Sequence, residues 1–127
     1  MATVVPVDAF DLPEWLGVEE VTWTAVTSLG PAPHVSGALS GPSGASLECD
    51  VLACDLAYPQ AVLEEKWRAD AHHAWQLGET LLLEYDGRLT LVVPGTSVGV
   101  EAALEAVRRL AKAVGAPSDR FTVAIRL

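Results

Sequence analysis

Apolar and polar residues alternate from Glu20 to Leu29: Val21, Trp23, Ala25 and Leu29 fall on one side, Thr22, Thr24, Val26 and Ser28 on the other. That period of two predicts a strand with one covered face. Gly30-Pro31-Ala32-Pro33 ends it, and His34 to Ser40 predicts a second strand with Val35 and Leu39 turned inward. The run Gly37 to Gly44 is rich in glycine, but a strand follows it, so a hairpin loop fits better than a phosphate cradle. Leu47 to Leu56 carries apolar residues on both sides, as a central or bulged strand would.

The period then changes. Pro59 suits the first turn of a helix running to about Leu77 and stopped by Gly78, with Leu63, Trp67, Asp70, Ala74 and Leu77 sharing a face and Arg68 turned away. Thr80 to Pro94 reads as a β-hairpin. A three-residue loop of Tyr85, Asp86 and Gly87 pairs Leu83 with Leu89 and Glu84 with Arg88, sorting leucines to one face; a two-residue Asp86-Gly87 turn mixes polar and apolar on both. Thr96 or Ser97 would cap a second helix striped by Val100, Ala103, Leu104, Val107, Ala111 and Val114 and stopped at Gly115. Phe121, Val123, Ile125 and Leu127 alternate as a last strand.

The expected fold is therefore α+β: a mainly antiparallel sheet of about six strands (β-β-β-α-β-β-α-β) with two helices on one face. Residues 1–127 form one domain, with 1–17 an irregular docked arm containing a helical turn from Pro13 to Gly17, and 18–127 the core. The opposite face would show Thr22, Thr24, Ser36, Ser40, Glu84, Arg88, Thr90 and Arg126, and could stand in water or pair with a second copy.

Charge narrows the partners. The formal net charge is −9, and residues 1–63 hold eight acids with no Lys or Arg, against nine acids and all eight bases in residues 64–127. Such a field repels nucleic acid; it could meet a basic protein surface or simply keep the protein in solution. No apolar run approaches a membrane span, and the N-terminus has no signal-peptide pattern. Cys49 and Cys54, five apart, fall on opposite faces of a straight strand, so a cytoplasmic protein with packed, reduced thiols is expected.

No catalytic, metal or cofactor motif stands out. Asp70 with His73 one turn on is the nearest approach to a chemical cluster, able to orient a general base or to begin a metal site, though a boundary residue at the end of a stripe fits the spacing as well. Thr96 and Ser97 could hold an anion at a helix N-terminus or simply cap it. Trp15 and Trp75 lie off the predicted core faces: together with Thr22, Thr24 and Thr90 they could form a protein interface, or the two tryptophans could cover the edge of this domain's own core.

The run from Ala53 to Leu127, with ACDLAYPQAVLEEKW, LLLEYDGRLTLVVPG and LAKAVGAP in it, resembles small acidic proteins of actinobacteria known only as hypothetical, and it transfers no activity. The order of three strands, helix, hairpin and helix after the Pro13–Gly17 turn is similar to the type III secretion chaperone-like fold, which implies dimers that bind partner polypeptides; the strand at Phe121–Leu127 departs from that order. The functional expectation is a non-enzymatic, homodimeric protein-interaction module without cofactor, chaperone- or adaptor-like. The alternatives are a small-molecule-binding protein or enzyme with a pocket near Asp70 and His73, and an acidic antitoxin or immunity-type protein.

Overall fold

A computed structural model of the protein describes residues 3–29, 32–57 and 63–125. Its elements run β1 (Val4–Pro6), α1 (Trp15–Val18), β2 (Val21–Ala25), β3 (His34–Val35), β4 (Gly37–Ser40), β5 (Ser46–Cys54), α2 (Glu65–Gln76), β6 (Leu81–Tyr85), β7 (Arg88–Pro94), α3 (Val100–Ala113) and β8 (Phe121–Ala124). The turn at Gly30-Pro31, the helix start at Pro59, and Arg126 and Leu127 lie outside the described residues.

The sheet is mixed and eight-stranded, in the order β1-β6-β7-β5-β4-β2-β8, with β3 paired to β5 beside β4. Pairs β5–β7 and β2–β8 are parallel and the rest antiparallel. The expectation of about six mainly antiparallel strands is thus corrected. The meander and hairpin are local and were readable, but the parallel pairs arise where the chain crosses over through a helix. After α2 the hairpin returns with its second strand beside β5, and after α3 the last strand lands beside β2, about a hundred positions away.

The helices also lie on opposite faces, not on one. In β5 and β7, Cys49, Val51, Ala53, Leu89, Leu91 and Val93 pack with Ala103, Ala106, Val107 and Leu110 of α3. The intervening Leu52, Cys54 and Val92, with Leu83, pack instead with Leu63, Trp67 and Ala71 on the α2 side. Neighbouring residues of a strand face opposite ways, so two clusters made from alternate residues mean two covered faces. The continuous apolar runs of β5 and β7 serve both.

This explains the hairpin. Its turn is two residues long, pairing Tyr85 with Arg88, Glu84 with Leu89 and Leu83 with Thr90. Asp86 (φ 51) and Gly87 (φ 79) both take the left-handed conformation of a type I′ turn, whose twist matches the strands. Sorting leucines to one face was the wrong criterion for a hairpin buried on both.

Other boundaries move for local reasons. The arm is not wholly irregular, since β1 pairs with β6 antiparallel, and α1 extends to Val18 with Leu16 fully buried. Leu63 precedes the N-cap of α2, so a helical wheel anchored on it is out of phase: Arg68 and Ala71 are the buried residues and Leu77 is 59% exposed. The N-cap of α3 is Gly99 rather than Thr96 or Ser97. On the α2 side of the sheet, α2 shields the β6-β7-β5 half, while Thr24 and Ser40 of the β4-β2-β8 half stay exposed.

Candidate binding groove

The residues singled out from the sequence do not converge. Asp70 pairs with Lys66 one turn back at 2.8 Å, while His73 is exposed. The His72 ring shares a hydrogen bond with the Cys54 carbonyl at 3.2 Å. Thr96 and Ser97 are exposed ahead of the helix. The pair of Lys66 and Asp70 is open to solvent, so Asp70→Asn is expected to change stability by less than about 0.5 kcal/mol, measured by urea unfolding. Among the described residues no three His, Cys, Asp or Glu side chains gather to hold a metal ion.

The interface candidates divide. Thr90 is wholly buried, its hydroxyl donating to the Arg88 carbonyl, and is corrected from the surface to the interior. Thr22 is half-buried and hydrogen-bonded with Thr122 at 3.0 Å, and Thr24 is exposed. Trp15 packs against the main core. Trp75 meets α3: the Arg109 guanidinium stacks 3.7 Å from its ring centre and donates to its carbonyl at 2.7 Å. Both cysteines are free and buried, on opposite faces as their spacing predicts. Burial pushes the Cys54 thiol up to about 11, opposed in part by Arg68, so it is no ready nucleophile.

Sequence reasoning missed the most connected polar group. Asp50 sits 1% exposed in β5, taking Arg88 through two bonds of 2.8 and 2.9 Å, the His34 ring at 3.0 Å and the Gly37 amide at 3.3 Å. Arg88 also holds Glu48 at 2.8 Å, not the expected Glu84. This cluster ties the break between β3 and β4 to β7. The available signal was an acid inside an apolar run, which needs a cation to be buried at all. Arg68 is likewise buried, donating to the Asp55 carbonyl at 3.4 Å.

The concave surface lies elsewhere. Where β1 ends, Asp8 accepts the Phe10 amide and turns the chain into a 3-10 turn, Ala9–Asp11. Between that turn, the start of β6 and the C-terminal half of α3 runs a groove of ≈ 740 Å³, floored by Pro6, Val7, Leu81 and Ala113. A second groove of ≈ 610 Å³, walled by Leu12, Val18 and Val114, shares Ala9, Lys112 and Ala113 with it. On its rim Phe10 is 95% exposed and Val18 70% exposed. No signal beyond an aromatic among acids marked Phe10, and its neighbours Leu12, Trp15 and Leu16 do go to the core.

Charge at this surface is mixed: Asp8, Glu79, Arg109 and Lys112 line the larger groove, and Glu14 and Lys112 the smaller. Arg108 and Arg109 both pair with Glu105, at 2.9 and 3.1 Å, and Arg109 also caps the carbonyls of Trp75 and Glu79. Lys112 borders both grooves and has no hydrogen-bond or ion partner among the described residues. No described helix is long and apolar enough to cross a membrane. Compared with family models, with curated proteins and with solved structures, the chain matches none.

Proposed function

We propose that the chain is a non-enzymatic protein-interaction module that receives a partner polypeptide on the joined grooves beside Phe10. The observation that carries this is Phe10 itself: a phenylalanine almost wholly in water, on a turn fixed by its own cap, next to exposed Val18 and an apolar trough. A large side chain presented in this way is an anchor for a partner's pocket. The apolar character favours chaperone- or adaptor-like capture over acidic masking of a basic enzyme, which would show steep salt dependence.

Self-association is the second part of the proposal, supported by the uncovered half of the sheet around Thr24 and Ser40. The two surfaces are separable. A photo-reactive phenylalanine analogue at position 10 should cross-link a discrete partner in the host cell, where the same group at Ser43 should not. Sedimentation equilibrium should show a dimer that Thr24→Arg disrupts and Phe10→Ser leaves intact. Equal labelling from positions 10 and 43 would remove the interaction reading, and a monomer at high concentration would remove the dimer.

A further inference from the structure

We infer that the larger groove takes an extended polypeptide segment by strand addition to the uncovered start of β6, with Lys112 receiving a carboxylate of that segment. This rests on the interaction reading above and says how the partner is held. The hairpin register makes Tyr85, Leu83 and Leu81 bond inward to β7, so Glu84, Leu82 and Thr80 turn their backbone groups to the outer edge. β1 satisfies the first part of that edge, and Val7 donates to the Leu82 carbonyl at 3.0 Å.

There the pairing stops. The Leu82 amide, which would complete the pair with Val7, has no backbone partner among the described residues, and neither has the N–H or C=O of Thr80. The cause is local: Pro6 and the Asp8 cap steer the chain off the sheet one step too early. The result is a short stretch of edge strand lying in the ≈ 740 Å³ groove, where an added strand gains main-chain bonds and alternate side chains meet the apolar floor.

Lys112 sets the polarity of the occupant. Glu105 and two carbonyls already engage Arg109, whereas the Lys112 ammonium is uncommitted at the junction of the grooves. Asp8 and Glu79 also line the groove, with Asp8 accepting the Phe10 amide, so Lys112 is the one point in it that favours a carboxylate, from an Asp or Glu side chain or from a chain terminus. A second copy of this chain is the poorer occupant, because the terminal strands it could offer, β1 and β8, are three and four residues long and neither carries a carboxylate for Lys112.

The test pans a phage-displayed library of random heptapeptides on the full-length chain. Enriched sequences are synthesised with free and amidated C-termini and measured by fluorescence polarisation. The expected peptides alternate apolar residues, carry a carboxylate, and weaken about tenfold on Lys112→Glu, a loss of about 1.4 kcal/mol. N-methylation at alternate amides should abolish binding, and bound peptide should slow exchange of the Leu82 amide hydrogen. Thr80→Pro should weaken binding too, and Lys112→Glu, on an exposed helix face, covers the case in which that variant misfolds. Loss on amidation assigns the carboxylate to a chain terminus; retention assigns it to a side chain.

No enrichment, or peptides indifferent to both Lys112→Glu and N-methylation, overturns strand addition. If such peptides still depend on Phe10, the interaction reading survives without it; if they ignore Phe10 as well, both fall. Protection of the Leu82 amide in the protein alone, rising with its concentration, would give the edge to a second copy and also overturn the proposal.

Discussion

Trp23→Ala is expected to lower the unfolding free energy by about 4 kcal/mol, read from the urea midpoint at constant slope. Trp23 has no exposed surface and heads the fully buried side chains by volume. It stands in β2 between Leu39 of β4 and Val123 of β8, and its indole N–H donates to the Cys49 carbonyl at 2.8 Å. Truncation opens a cavity and orphans that carbonyl. The surroundings cannot close over it cheaply, because the ring already lies on bare backbone: a Cβ at Gly37 would sit 2.5 Å from the indole. Against a typical stability of about 5–15 kcal/mol the loss approaches unfolding. Trp23→Phe keeps most of the volume and should cost about 1–2 kcal/mol, separating the hydrogen bond from the packing. A cost for the alanine variant under about 1 kcal/mol would contradict the packing of β2 in the core.

Asp50→Ala is expected to cost about 3 kcal/mol, since removing one partner of a buried ion pair leaves the other uncompensated. Arg88 keeps Glu48 and some access to water, which holds the loss below the upper range for such pairs. The effect has a pH signature. Burial raises the pKa of Asp50, but the hydrogen bonds from His34 and Arg88 outweigh it and bring the carboxyl down to about 2, below its ordinary value of 3.8. A depressed folded-state value stabilises above the unfolded one. The contribution of about 2 kcal/mol is complete above pH 3.8 and disappears as pH falls through about 2. Asp50→Asn preserves the shape and should flatten the stability curve over that window. An unchanged acid limb would show that the carboxyl is not held by Arg88.

What the sequence reveals follows from how far apart the cause and the effect lie. The alternation of Val21, Trp23 and Ala25, the inward Val35 and Leu39, and the stop of α3 at Gly115 are set by neighbours a few residues away, and the structure shows each of them. The faces of the sheet are not local. The runs through Val51–Cys54 and Leu89–Val93 hold too many apolar residues for one covered side, whereas a register chosen by sorting leucines assumes that one side is wet. The phase of α2 went astray on a single residue, Leu63, which belongs to the core but not to the helix. The proposed groove was out of reach for a plainer reason: it exists because β1 leaves β6 uncovered at Thr80, and β1 contains the proline that argues against reading a strand there.

The pairing of Val21–Thr24 with Phe121–Ala124 carries a consequence for how the molecule is made. On the ribosome, β2 emerges early and must wait about a hundred residues for the neighbour that closes its flank. During that interval the indole of Trp23 and the ladder beside it are available to any passing chain. Contacts this distant in sequence slow the final ordering to roughly milliseconds or longer. A nascent chain halted before Phe121 should therefore be sticky, sensitive to protease and a client of holdase chaperones, and it should become resistant once that strand is released from the tunnel.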